Sequence, residues 1–262
     1  VRYAALDGLK VRYETFGEGQ PALVFVHGWT CDLSFWAQQV DAFPGRLTVA
    51  IDLPGHGGSD KPEVSYTADL YARAINAVLE AEKIPRAVLV GHSMGTPAIR
   101  QFYRLYPGKT LALVAVDGSF RSGGTPEQFK ALAARYSRDN YRQAVAAAVD
   151  TMFSPQAPAG LRSAVKDVMT RTPRHVVVSA LEGMGESSIW APDPIAVPLL
   201  VVLAKSPYWS GDYEAFVRHL APQVDYHVLD GVDHFLMLEA PGTFNGILSD
   251  FLGRNHLLER GP

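Results

Sequence analysis

Short, continuous apolar runs recur along the chain at 22–26, 47–51, 87–90, 111–116 and 199–203. Each is too short for a buried helix, rich in valine and leucine, and lacks polar alternation, as expected of strands covered on both faces of a parallel sheet. Between them lie stretches of helical spacing: a short helix over 34–40, a longer one over 66–81 with Thr67 as its cap, and a third over 96–106. Strands alternating with helices predict an α/β chain with right-handed crossovers. The start differs, since the extended segments 1–4 and 10–13 flank Asp7-Gly8 and read as a hairpin.

The alternation stops between 119 and about 190, where only helical patterns occur, over 126–137, 140–152, 159–170 and 173–185. A helical block with no strand of its own to cover is expected to lie over the sheet edge as a cap. Three segments follow: 1–118 and 191–262 as the two parts of a core domain, and 119–190 as an insertion. Of Phe120, Phe129, Met152, Phe153, Met184 and Trp190 in the insertion, about one in three is expected to face an enclosed cleft. After 199–203 come a helix over 213–220, a strand over 224–229 and a final helix over 243–252.

With 262 residues, 47% hydrophobic and 19% charged, the chain can bury a full core as one large domain or one carrying an insertion. A net charge of −3 with scattered basic residues disfavours nucleic acid as a partner. No run approaches the roughly 18 apolar residues of a membrane span, so a soluble protein without a membrane partner is expected. The single cysteine, Cys31, excludes an intrachain disulfide and a cysteine-based zinc cage. The chain begins at Val1, which leaves both the cytoplasm and export after leader removal open. No internal repeat is found.

Candidate chemistry centres on Gly91-His92-Ser93-Met94-Gly95, wedged between the strand at 87–90 and the helix at 96–106. A Gly-x-Ser-x-Gly pentapeptide there is a nucleophile elbow, a turn tight enough to strain the serine backbone and raise Ser93 clear of the sheet. The Met94 amide then lies at a helix N-terminus, where negative charge is stabilised. His27-Gly28-Trp29 ends the strand at 22–26, and the Trp29 amide is the candidate second oxyanion donor, with His27 bracing its loop. Asp52 heads a Pro/Gly loop and is read as holding the turn that follows it. His234, in a loop just past the strand at 224–229, is the candidate base for Ser93.

With these stretches, and with Asp52-Leu53-Pro54-Gly55-His56-Gly57-Gly58-Ser59 and the segment 231–239, the chain resembles the α/β-hydrolase fold superfamily everywhere outside the cap. The resemblance implies a mostly parallel central sheet flanked by helices, a Ser93 nucleophile, a His234 base and an oxyanion hole from Trp29 and Met94. A serine at the elbow argues against the haloalkane dehalogenase and epoxide hydrolase chemistries of that superfamily, which use an aspartate there. Members commonly carry the triad acid after the strand that is 199–203 here, but Ala204-Lys205-Ser206-Pro207 has no carboxylate. Asp117, ending the strand at 111–116, is the favoured acid, with Asp212 the rival, although Asp212 also reads as a helix cap. Asp230 and Asp233 are too near His234 in sequence for easy approach to its ring. The expected activity is hydrolysis of small, largely apolar esters or lactones without cofactor or metal. Carbon–carbon bond hydrolysis, perhydrolysis or haloperoxidase chemistry, and a ligand receptor with a slow triad are the alternatives.

Overall fold

The computed structural model describes residues 1–257 apart from Pro44, so the last five residues of the third expected segment lie outside it. Eight strands form one sheet: β1 Arg2–Leu6, β2 Leu9–Phe16, β3 Ala22–Val26, β4 Thr48–Ile51, β5 Ala87–His92, β6 Thr110–Val116, β7 Leu199–Ala204 and β8 Asp225–Leu229. Their spatial order is β1-β2-β4-β3-β5-β6-β7-β8. The β1–β2 hairpin pairs antiparallel with itself and with β4, and every other pairing is parallel. Every residue of β3, β4, β5 and β7 is buried, which is why their sequences are apolar throughout except for Thr48 at the start of β4 and Gly91-His92 at the end of β5. The edge strand β8 is only half-buried and correspondingly carries Asp225, Tyr226 and His227.

Ten α-helices accompany the sheet among the described residues: α1 Ala37–Val40, α2 Ala68–Ala81, α3 Gly95–Leu105, α4 Pro126–Ala134, α5 Tyr141–Asp150, α6 Ala159–Met169, α7 Arg174–Gly183, α8 Gly211–Leu220, α9 Leu236–Glu239 and α10 Pro241–Arg254. Alternate strand residues point to opposite faces and found two cores. Val24, Leu89, Leu113 and Val201 pack with Ile75 of α2, Phe102 of α3 and Val217 of α8. Phe25, Val90, Val114 and Val202 pack with Trp36 and with Phe244, Leu248 and Phe251 of α10. None of these helices is long and apolar enough to cross a membrane.

Between β6 and β7 the chain adds no strand to the sheet. In that stretch α4 packs on α7 and α5 on α6. Tyr141, Val145, Val165 and Val177 continue one sheet core, while Phe120, Val176 and Ala180 continue the other. The expected helix starts at 126 and 159 agree with those found, and the start expected at 173 falls one residue early; the C-terminal ends come one to three residues early. Prolines mark helix starts in sequence, whereas ends depend on packing.

Candidate active site

The strand register assembles the site. Val26 is opposite Gly91, and His92 is opposite Val116, so the residues following β3, β5 and β6 emerge side by side on the carboxyl edge of the sheet. The chain leaves β3 toward β4 on one side and returns to β5 on the other, which makes this edge the switch point where open α/β sheets have a crevice. Ser93 is anchored there by its own amide, which donates to Val116 O at 3.0 Å, and by its carbonyl, which accepts from Thr96 N at 2.9 Å. Its φ is +53°, the left-handed backbone expected of an elbow. A Cβ on Gly91 would lie 2.4 Å from Gly95 O, and one on Gly95 would lie 2.5 Å from Val26 O, so neither position admits a side chain.

His234 Nε2 lies 2.9 Å from Ser93 Oγ, and its Nδ1 lies 2.7 Å from Asp117 Oδ2. An ionised Asp117 only accepts, so Nδ1 carries the proton and Nε2 accepts from the Ser93 hydroxyl. Asp117 is 7% exposed and also has a left-handed φ of +41°. Its other oxygen, Oδ1, accepts from Ala204 N at 2.9 Å and from the Trp209 indole Nε1 at 3.0 Å. Thus the last residue of β7 and the loop that follows it supply one donor each to hold a carboxylate that this loop itself lacks. Asp212 is not brought to His234. The helix α8 begins at Gly211 with Ser210 at its N-cap, so Asp212 is an exposed residue of the first turn rather than the cap expected from its spacing.

Trp209 and His92 are positioning groups that motif reading did not find. The indole of Trp209 packs 4.9 Å from the Tyr213 ring, so Trp209→Phe keeps a ring in place and deletes the donor to Asp117. For any reaction begun by Ser93, kcat/KM is expected to fall roughly tenfold, the equivalent of about 1.4 kcal/mol from a charge-assisted hydrogen bond. A folded Trp209→Phe variant with parental kcat/KM would reduce the indole to packing. His92 Nε2 donates to His234 O at 2.8 Å, which leaves Nδ1 unprotonated. Burial, and then the nearby His234 charge, push the His92 pKa well below its usual value, so the ring serves as a neutral brace. The His234 loop is further tied by Glu239, which accepts from Asp233 N at 3.0 Å and from the Ser154 hydroxyl.

Among the described residues, the Trp29 and Met94 amides make no hydrogen bond within the chain. Gly28 brings the first of them close, since a Cβ on it would lie 3.0 Å from both Ser93 Cβ and His92 Nδ1. The Trp29 indole donates to Val177 O at 3.0 Å, fixing this loop to α7. His27 Nδ1 donates to Gly28 O at 2.8 Å while Nε2 accepts from Leu53 N at 3.0 Å. Burial lowers the His27 pKa and keeps that ring neutral. The buried Asp52 accepts from Leu33 N and Gly58 N, both at 2.7 Å, and from Arg12 Nη1 at 3.0 Å, the turn-holding role read from its loop.

A cavity of about 730 Å³ opens onto Ser93 and His234, within the size range of small-molecule sites. Phe129, Met152, Met184 and Trp190 line it, four of the six residues singled out between 119 and 190, whereas Phe120 and Phe153 are packed in the cores. A far smaller cavity of about 30 Å³ adjoins Ser93 between Trp29, Cys31, Met152 and Phe235.

A serine, a histidine and an aspartate hydrogen-bonded in series at the strand ends of such a sheet define an α/β-hydrolase-type protein. The chain belongs to the alpha/beta hydrolase family, whose family model matches residues 23–247. It is 28% identical, over 94% of its length and 92% of the relative's, to a 2-hydroxy-6-oxononadienedioate/2-hydroxy-6-oxononatrienedioate hydrolase of Paraburkholderia phymatum. A thermophilic esterase from Thermogutta terrifontis superposes with a TM-score of 0.85 at 21% identity, covering 97% of each chain. Est816, described as an N-acyl homoserine lactone degrading enzyme, superposes with a TM-score of 0.80 at 26% identity, over 95% of this chain and all of that one. The family match and these relatives support a hydrolase and do not name its substrate.

Proposed function

We propose that the chain is a serine hydrolase of small, largely apolar carboxylic esters or lactones, with Ser93 as nucleophile, His234 as base and Asp117 as the acid of the triad. The observation that carries this reading is the continuous hydrogen-bond series Ser93–His234–Asp117 at the floor of the cavity. His234 Nε2 takes the Ser93 hydroxyl proton as Oγ attacks the carbonyl carbon, and the Trp29 and Met94 amides stabilise the negative oxygen. The imidazolium, stabilised by Asp117, gives its proton to the departing alkoxide, leaving an acyl-enzyme. A water activated by His234 attacks that ester and returns Ser93 to its hydroxyl form. In a lactone the leaving alkoxide stays tethered to the acyl group, so water cleavage releases a hydroxy acid. The similarity to Est816 supports the lactone part of this reading.

Residues 119–190 act as a cap in this reading, and its apolar side chains set the acyl and alcohol groups accepted. The narrow space beside Ser93 favours short acyl chains. Over a p-nitrophenyl series, kcat/KM for the acetate or butyrate is expected to exceed that for the dodecanoate by about tenfold or more, the discrimination a filled apolar pocket provides. Stopped-flow release of p-nitrophenol followed by steady turnover distinguishes a hydrolase from a receptor with a slow triad, which gives a burst alone. Equal or better cleavage of emulsified long-chain triglyceride would contradict an enclosed site, and absence of turnover with every ester and lactone would contradict the reading itself.

A further inference from the structure

Arg121 is the only arginine or lysine among the described residues that line the 730 Å³ cavity. Its guanidinium lies 5.4 Å from the Tyr213 ring centroid and 5.9 Å from that of Phe216, and it makes no ion pair or hydrogen bond with any described residue. Ring contacts hold an arginine in place but use none of its five N–H donors on an oxygen acceptor. The platform is itself fixed. Tyr213 is 1% exposed, and its hydroxyl accepts from Phe120 N at 3.1 Å and donates to Gly118 O at 3.3 Å. Ser119 Oγ closes the turn by accepting from Arg121 N at 3.1 Å and donating to Arg121 O at 2.8 Å. The same turn begins at Asp117, so the cation is held four residues from the group that bonds His234.

The two carboxylates of the cavity leave this cation unpaired. Asp117 is occupied by His234, Ala204 and Trp209, and Asp233 Oδ1 accepts from His234 N at 2.8 Å. We propose that Arg121 binds a carboxylate on the substrate, so that the preferred substrates are acid esters or lactones bearing a carboxylate beyond the reacting carbonyl. The planar guanidinium fits a carboxylate through two parallel hydrogen bonds, which a lysine cannot reproduce. Binding through a group remote from the reacting carbonyl also restricts how a substrate sits in the cavity that Ser93 lines. The proposal deepens the hydrolase reading by adding one carboxylate, held by Arg121, to a substrate whose remainder is apolar, and it rests on that reading for catalysis, although not for binding.

The test compares monoethyl glutarate with diethyl glutarate at low ionic strength. The parent is expected to favour the half-ester, and Arg121→Met to lower the half-ester to diester ratio of kcat/KM by about tenfold or more. Arg121→Lys is expected to restore part of that ratio. An unchanged ratio in a folded Arg121→Met protein, or a parent that prefers the diester, overturns the proposal. Calorimetric titration of monoethyl glutarate into Ser93→Ala, with and without Arg121→Met, reads binding without turnover. Binding weakened by Arg121→Met supports the anion site even where no ester is cleaved, in which case the hydrolase reading falls alone. Monoethyl glutarate binding that does not depend on Arg121 removes the site.

Discussion

Ser93→Ala is expected to lower ester turnover by about four to six orders of magnitude, since loss of the nucleophile from a serine triad leaves only the contributions of substrate binding and oxyanion stabilisation. The fold should be nearly untouched. Alanine meets the same demand for φ near +53° as serine, and the backbone bonds to Val116 and Thr96 remain. Only one side-chain hydrogen bond is lost, from a group that faces the cavity, where water takes its place. Such a change falls within about 0.5 kcal/mol, or about 2 °C in Tm for a chain of this size. Mass spectrometry supplies a second readout. A brief exposure of the parent to p-nitrophenyl acetate should leave one acetyl group on the peptide containing Ser93, and the alanine variant should carry none. Turnover within tenfold of the parent in a folded variant would transfer the chemistry to another residue.

Legibility followed sequence distance. The elbow is local: both glycines and the serine lie within five residues, and the strand and helix flanking them show in apolar pattern alone. The sheet was readable for the same reason, because strands covered on both faces must be continuously apolar. Asp117 was reachable from the rule that strands of a parallel sheet share a carboxyl edge. Its donors were not. The Ala204 amide reaches Asp117 because β7 pairs beside β6, whereas the Trp209 indole reaches it only through how the loop after β7 folds back over the end of β6, which no local pattern encodes. The missing carboxylate at 204–207 was visible, but its physical counterpart, a pair of N–H donors, appears only in three dimensions. The stretch 119–190 shows the same limit. Its helices pack on both sheet cores and around the cavity, so spacing identifies apolar positions without telling which of those surfaces each one meets. Glu239 is a comparable case, since its tie to Ser154 joins segments 85 residues apart.

Asp117→Asn is expected to lower ester turnover by about two to four orders of magnitude, and the cause lies in those two donors rather than in lost charge alone. Ala204 N–H and Trp209 Nε1–H both converge on Oδ1, at 2.9 and 3.0 Å. An asparagine at 117 must therefore place its carbonyl oxygen there, because turning the amide over would set its NH2 against two other donors. The NH2 then faces His234 Nδ1, where Oδ2 of the aspartate stood at 2.7 Å. A donor at that point needs an unprotonated Nδ1, which moves the imidazole proton to Nε2 and aims it at Ser93 Oγ. The histidine can no longer accept the serine proton. Asp117→Ala removes charge and orientation but imposes no tautomer, so the asparagine variant, although closer in shape, should be no more active than the alanine variant. Asp212→Asn serves as the comparison, because Asp212 is exposed on α8 and its loss should leave kcat within about twofold, as for a surface change. Measuring kcat and Tm for the three variants side by side decides the matter. Near-parental turnover in Asp117→Asn, or a large loss in Asp212→Asn, would move the acid away from the end of β6.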